Sequence, residues 1–286
     1  KDWFNYYLSE SKQFEVNSSS FSGVENLLTR DRMAGEQLAH FQISPDSKWM
    51  AYTLEDAGQY RVMIQNLTSK KRFFLFQTGL KDPLRGSINQ SPRIHWSAKN
   101  AIAILYAKDG KSWLNQYAPI TSMSAKLTSK TDLKDWIFTD FEMHDNGQRM
   151  LVRALRNGQM DVGIYDFRRN KFTPITQNVQ DELEAHWFNK QGDVIYLTDH
   201  YVDSTQKLVK SKGLSVIMHW RAEEPSNPRV LLVHSGKIHA IQVKSDSLIY
   251  FLHRQPSGEE LVSLDLSQGK LMQNRVRSGT WLAYQW

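Results

Sequence analysis

The chain has 286 residues, of which 40% are hydrophobic, 12% aromatic and 23% charged, a composition typical of one large globular domain or two smaller ones. No apolar run approaches the roughly 20 residues of a membrane-spanning helix, and the absence of cysteine excludes disulfides, thiol nucleophiles and cysteine metal sites. The net charge of +6 resides in short clusters between apolar segments, which indicates solvated turns and no nucleic-acid surface.

A unit of apolar strand, short polar turn and second apolar strand recurs along the chain. Its first copy, residues 41–53, reads FQISPDSKWMAYT and contains a Ser-Pro-Asp-Ser turn. Four further copies follow at spacings of about 45 to 55 residues, which is the range of a structural repeat. They occupy residues 94–107, 141–154, 186–198 and 239–253.

A second signature follows the unit at a similar offset. An apolar strand ends in Asn66, Asp166 or Asp265, and a polar turn and another strand come next. Asn and Asp suit that place because their side chains hydrogen-bond the nearby backbone of a turn. Each repeat therefore contains four short strands joined by tight turns, and four strands in 45–50 residues predict a blade of an all-β, β-propeller fold.

The repeats predict a single propeller domain over residues 1–286. Five blades are expected at about 35–90, 91–135, 136–181, 182–236 and 237–277. The end SGTWLAYQW looks like the first strand of another copy, so a sixth blade is predicted from residues 278–286 together with 1–34. Joining the two chain ends in one blade would remove the free edges of an open ring. Seven blades, with the remainder outside this chain, is the alternative.

The stretch SPDSKWMAY, Ser44–Tyr52, resembles the core of the TolB-type family of WD-like propeller repeats. Ser47 stands where the family usually has glycine, and Gly147 and Gly192 occupy the corresponding turns of later copies. The family includes TolB, whose propeller binds a partner lipoprotein, and extracytoplasmic halves of membrane-anchored regulators. The propellers of prolyl-oligopeptidase-type hydrolases are similar. TolB has an α/β domain ahead of its propeller with no counterpart here, so the resemblance is to the repeats and not to TolB itself.

No complete catalytic signature is present. The chain lacks a G-x-S-x-G nucleophile elbow, an H-E-x-x-H metal helix and a phosphate-binding G-x-x-x-x-G-K-[ST] loop. We therefore predict no catalytic residues and no cofactor.

Histidines recur at or near the first strand of the copies, and an aspartate takes their place in the third. The first strand of a propeller blade lines the central channel, so these residues are ligand or channel candidates and could hold a divalent metal. They do not share one register, however, and successive strand residues point to opposite faces. We expect some to face a wet polar channel and others to pack between blades. The candidates are His40, His95, Asp140, His186 and His239.

Two further features could form a binding face. Trp113 and Trp136 lie beside polar, turn-like segments, and tryptophan is favoured at interface hot spots. The connections Thr78–Ser91 and His200–Gly213 are longer than usual hairpin loops, and long loops often carry specificity.

These observations predict a non-catalytic binding or sensing propeller of the bacterial cell envelope. It would be the periplasmic or otherwise extracytoplasmic domain of a larger protein, and a membrane-anchored regulator is one version. A protein or small ligand would bind at the channel mouth. The alternative is an enzyme, either a channel-metal lyase or hydrolase, or the propeller of a prolyl-oligopeptidase-like peptidase.

Overall fold

A computed structural model describes residues 36–80, 91–98, 100–108, 110–117, 126–131, 136–178, 181–202, 207–210, 213–255, 258–268 and 270–274. Within these ranges the strands form five four-stranded antiparallel sheets and one two-stranded sheet. In chain order the strands are β1 Gln37–Ile43, β2 Trp49–Asp56, β3 Gln59–Asn66, β4 Arg72–Thr78, β5 Arg93–Trp96, β6 Ile102–Lys108, β7 Lys111–Tyr117, β8 Lys126–Thr131, β9 Ile137–Met143, β10 Arg149–Arg156, β11 Gln159–Asp166, β12 Lys171–Pro174, β13 Glu182–Trp187, β14 Val194–Thr198, β15 His200–Val202, β16 Leu208–Lys210, β17 Leu214–Trp220, β18 Arg229–Ser235, β19 Lys237–Ser245, β20 Leu248–Gln255, β21 Gly258–Asp265 and β22 Lys270–Asn274.

The sheets are the predicted propeller blades, which confirms the all-β propeller fold. Consecutive strands pair in the orders β1-β2-β3-β4, β5-β6-β7-β8, β9-β10-β11-β12, β13-β14-β17-β18 and β19-β20-β21-β22. We number these blades one to five. The structure shows five blades and not the predicted six. Residues 278–286 and 1–34, which were assigned to the sixth blade, lie outside the described residues.

The fourth blade carries an insertion. Between its second and third strands, β15 and β16 pair with each other as a separate two-stranded sheet. The connection His200–Gly213, predicted from its length to be a functional loop, therefore contains a hairpin within its described residues. The middle of the other long connection, residues 81–90, lies outside the described residues.

The turn between the first two strands of a blade is built by side-chain hydrogen bonds and one left-handed residue. In the first blade the Ser44 hydroxyl donates to Asp46 Oδ1 at 2.6 Å and accepts the amide of Trp49 at 2.9 Å. Ser47 has φ of 56°, and Gly147 and Gly192 take φ of 67° and 101° in the matching turns. Glycine adopts this conformation without steric cost, which explains its recurrence there.

In three blades the turn after the third strand uses the predicted side chains. Asn66 Oδ1 accepts the amides of Thr68 and Ser69 at 3.0 and 2.8 Å. Asp166 and Asp265 accept the amides two and three residues further on in the third and fifth blades. The repeated Asn or Asp therefore marks one equivalent corner of three blades.

Apolar side chains on alternate strand positions join each blade to the next. Ala51, Val62 and Ile64 of the first blade pack on Ile94 and Ile104 of the second. Three further clusters join the second to the third, the third to the fourth and the fourth to the fifth blade. The core is thus a series of blade interfaces, and the innermost strands face a central space. No helix in the described part of the chain is long and apolar enough to span a membrane.

Candidate ligand-binding channel

A cavity of about 550 Å³ lies among the innermost strands. Its wall comes from all five described blades, which contribute β1, β5, β9, β13 and β19. Asp145, Lys190 and Asp246 also line it, and they belong to the turns between first and second strands. The cavity therefore reaches the end of the ring at which these turns lie, and we call this end the channel mouth.

His40 and His95 use one ring nitrogen to join neighbouring blades. His40 Nε2 lies 3.3 Å from the carbonyl oxygen of Ile94, so Nε2 carries a proton and donates. The amide of Met143 donates to His95 Nδ1 at 3.3 Å, so that neutral ring holds its proton on Nε2. Burial lowers the pKa of both imidazoles, with the Arg93 charge adding to the effect at His40. Both rings are neutral at physiological pH, with one nitrogen committed to the neighbouring blade.

His186 behaves in the opposite way because two carboxylates flank it. Its Nδ1 lies 3.0 Å from Glu142 Oε2, and its Nε2 lies 3.8 Å from Glu184 Oε2. Burial alone would lower its pKa, but the hydrogen bonds and negative charges of Glu142 and Glu184 outweigh burial and raise the pKa to about 10. The result is a fixed imidazolium on the channel wall.

Glu184 also connects the fourth blade to the fifth. Its two carboxylate oxygens accept the amides of Ala240 and Ile241, each at 2.8 Å. Ala240 has φ of 53° and lies at an irregularity in the β19–β20 pairing, which turns two successive N–H groups toward the carboxylate. Burial opposes ionisation of Glu184, but His186 and the two amides outweigh it and hold the pKa of Glu184 below its usual value.

A second charge pair lies on the same wall. Arg153 of β10 contacts Asp140 Oδ2 of β9 at 3.2 Å and also donates to the carbonyl oxygen of Leu183 in β13. The other oxygen of Asp140 accepts the amide of Phe141 at 3.0 Å. Arg153 therefore links the third blade to the fourth while it neutralises Asp140.

The structure brings four of the five predicted channel residues to one cavity. His40, His95, Asp140 and His186 line it, whereas His239 is not among the lining residues and lies in β19 opposite Leu252 of β20. His40 and His95 both line the cavity and contact the neighbouring blade, so the two roles expected for different residues fall on the same side chains. Among the described residues no group of three or more histidine, aspartate or glutamate side chains is placed to hold a metal ion.

Sequence reasoning missed the two glutamates that determine the charge of the site. Glu142 lies two positions after Asp140, and Glu184 lies two positions before His186. Residues two apart in a strand share a face. That spacing along each innermost strand could have identified both, because each glutamate is two positions from a predicted channel residue.

The two predicted interface tryptophans are partly buried. The Trp136 ring packs edge-on against Phe172 at 5.0 Å between centroids, and the guanidinium of Arg156 lies 5.2 Å from its centre. The Trp113 indole N–H donates to the carbonyl oxygen of Lys108 at 3.3 Å. Trp136 thus extends the apolar core at the interface of the second and third blades.

No family model and no curated protein sequence matches the chain. Solved structures do match its fold. TolB from Acinetobacter baumannii is similar with a TM-score of 0.60 and 11% identity, over 83% of this chain and 54% of that protein. A protein described as TolB from Agrobacterium tumefaciens gives 0.59 and 12%, over 83% and 80% of the two chains. A prolyl endopeptidase gives 0.53 and 12%, over 85% of this chain and 42% of the endopeptidase.

These similarities establish the fold and confirm the resemblance to TolB-like propellers. The chain spans about half the length of the Acinetobacter protein. Identities near 10% do not transfer a ligand or an activity, because one fold serves many functions.

Proposed function

We propose that the chain is a non-catalytic binding propeller of the bacterial cell envelope, and that it binds a protein or small ligand at the channel mouth. It would act as the extracytoplasmic domain of a larger protein, of which a membrane-anchored regulator is one version. The TolB-like fold supports the extracytoplasmic location, and the channel cavity is the observation that carries the proposal.

The electrostatics of the cavity favour binding over proton-transfer chemistry. A general base near neutral pH needs a group that exchanges its proton there, but His186 is held as a cation by Glu142 and Glu184. Asp140 is paired with Arg153. A wall of paired charges and neutral imidazoles presents fixed hydrogen-bonding groups, and such groups orient a ligand in a concave site.

The proposal includes closure of the ring by a sixth blade from residues 278–286 and 1–34. Met50 and Tyr52 lie on the face of the first blade opposite to its contact with the second, and both are buried. On the fifth blade, Leu252 and Leu261 alternate with the residues that face the fourth blade, and they are buried too. Two buried apolar faces at the ends of the five-blade series support a further blade between them.

Site-specific photo-crosslinking tests the binding proposal. A photoreactive phenylalanine analogue replaces Lys190, an exposed residue at the channel mouth, in protein expressed in its native envelope. The matched control replaces exposed Lys108, which ends β6 at the opposite end of the ring. We expect an adduct of defined mass from position 190 and none from position 108.

Loss of the position-190 adduct when Glu142→Gln is added would link the partner to the channel wall. Equal labelling at both positions, or labelling at neither, would contradict a partner at the mouth.

The enzyme alternative requires a bound metal or a catalytic partner domain. Metal content by mass spectrometry, on untagged protein dialysed after exposure to Zn²⁺ or Mn²⁺, tests the first version. Stoichiometric metal that is lost in a His95→Ala/His186→Ala double variant would favour it over the binding function.

A further inference from the structure

A buried cluster of oxygen atoms lies where the third blade meets the fourth, outside the channel. Asp161 belongs to β11, Glu182 begins β13, and Thr176 lies in the segment between β12 and β13. Their side chains are almost completely buried, at 4%, 1% and 5% exposure. Two buried carboxyl groups in one cluster are costly unless protons and hydrogen bonds compensate them.

The Thr176 hydroxyl has three neighbours and only one proton. It accepts the amide of Val162 at 2.9 Å. Asp161 Oδ1 lies 3.2 Å from it and Glu182 Oε2 lies 3.0 Å from it. A hydroxyl donates one hydrogen bond, so it can donate to one of the two carboxyl groups only. The other must bring a proton of its own to make its contact favourable.

Asn178 donates to both carboxyl groups, through its backbone amide to Asp161 and through its side chain to Glu182, and the deeper burial of Glu182 makes it the group that holds the proton. The Asn178 amide donates to Glu182 Oε1 at 3.0 Å, so Oε1 is the acceptor oxygen and Oε2 can carry the proton toward Thr176. The Thr176 hydroxyl then donates to Asp161 Oδ1. Burial raises the pKa of Glu182 to about 7 and raises that of Asp161, in agreement with this arrangement.

We propose that Asp161, Thr176 and Glu182 form a proton-dependent latch between the third and fourth blades, closed while Glu182 is protonated and loosened when it ionises. Ionisation removes the Glu182–Thr176 hydrogen bond and places two carboxylates on one hydroxyl. The latch lies at the first residue of β13, the strand that carries Glu184 and His186 further along. Proton release at the blade interface would therefore act on the strand that forms part of the channel wall.

The neighbouring charges favour a proton on Glu182 over one on Asp161, because Asp181 raises the pKa of both carboxyl groups and Arg156 lowers that of Asp161. Asp181, just before β13, accepts the amide of Met160 and adds negative charge beside Glu182. Arg156 at the end of β10 adds positive charge near Asp161, and Tyr196 of β14 faces Glu182 as a neutral phenol. Nothing among these groups places a cation directly on Glu182, so its ionised form gains no ion pair.

Amide hydrogen exchange at Val162 tests the latch, because this N–H donates to the Thr176 hydroxyl. We expect the protection factor of the Val162 amide, corrected for intrinsic exchange, to fall about tenfold between pH 6 and pH 8. This is the change expected when opening the latch lowers the pKa of Glu182 from about 7 to its ordinary value. Glu182→Gln retains an N–H donor toward Thr176 at every pH. That variant should remove the pH dependence.

Glu223→Gln is the matched control, since Glu223 is exposed in the turn after β17, and it should keep the wild-type pH dependence. A protection factor with the same pH dependence in Glu182→Gln as in the wild type would overturn the proposal. Should that variant fail to fold, the carboxyl ¹³C shift of Glu182 in the wild type decides the question. A midpoint near pH 7 supports the latch, and one near the ordinary glutamate pKa of 4.5 contradicts it.

Discussion

His186 shows how two neighbours reverse the effect of burial on one imidazole. Desolvation alone would make this ring neutral, as it does His95. The difference lies in its partners, because His95 accepts a backbone amide, whereas His186 donates to Glu142 and has the Glu184 carboxylate 3.8 Å from its other ring nitrogen. Histidines at related places in successive blades therefore carry different charges, and their repetition in the sequence does not reveal this.

Replacing one carboxylate should lower the pKa of His186. Its pKa of about 10 lies above the ordinary histidine pKa of 6.5, so the ion pair stabilises the fold fully below pH 6.5, and this stabilisation is lost as pH rises through 10. In Glu142→Gln we expect the pKa to fall by about 1 to 3, the effect of one close opposite charge. Nitrogen-15 NMR titration of the imidazole measures it.

Glu223→Gln, which changes an exposed glutamate in a distant turn, should leave the His186 titration in place. An unchanged titration in Glu142→Gln would show that Glu184 alone holds the proton.

The residue with positive φ in the turn between the first and second strands of a blade gives a test on the scale of one structural element. A Cβ at Gly147 would meet no atom within 4 Å, so Gly147→Ala probes only the cost of φ at 67°. We expect a loss of about 1 kcal/mol in the free energy of unfolding. Ser47→Gly, at φ of 56°, should raise the free energy of unfolding by about 0.5 kcal/mol. Relief of backbone strain stabilises the variant, and the greater entropy of unfolded glycine offsets part of that effect.

Urea denaturation of both variants provides the comparison. Destabilisation by Ser47→Gly would contradict the role of backbone strain and would instead assign the turn's stability to side-chain contacts of Ser47.

Hydrogen bonds between blades give a second test at this scale. The Ser215 hydroxyl of β17 accepts the amide of Ile238 in the fifth blade at 3.0 Å, and Ser112 does the same for Phe138 at 2.8 Å. Ser215→Ala would leave the buried Ile238 amide without this acceptor, which costs about 1–3 kcal/mol. Ser245→Ala, at an exposed site, should change stability by no more than about 0.5 kcal/mol in urea unfolding.

A cost below about 0.5 kcal/mol for Ser215→Ala would show that another group or water satisfies the Ile238 amide.

The repeated strands and turns were predictable because they depend on local sequence. Alternating apolar residues and the turn that follows Asn66 can be recognised without information on distant contacts, and they predict four-stranded blades. The Asp161–Thr176–Glu182 cluster was not predictable, since it depends on how β11 and β13 of different blades meet. The same holds for Glu184, whose amide partners lie 56 and 57 residues away in the fifth blade.

At the scale of the whole molecule, the apolar faces at the two ends of the blade series provide a test of the proposed sixth blade. The five described blades provide four apolar interfaces. Met50 and Leu252 lie on the faces at the two ends of this series and are only 1% and 2% exposed. If residues 278–286 complete a sixth blade with residues 1–34, deletion of 278–286 should expose part of both faces.

We expect that deletion to lower the midpoint of thermal unfolding by at least about 5 °C. Uncovering two or three large apolar side chains costs several kcal/mol, and each kcal/mol shifts the midpoint of a domain this large by roughly 2 °C. Binding of a hydrophobic dye at 25 °C should rise in parallel. Asp265→Asn supplies a control, because it keeps an Asx acceptor in a fifth-blade turn and leaves the blade faces intact. If the deletion changes neither the midpoint nor dye binding, these nine residues do not cover the two faces, and the proposed sixth blade is contradicted.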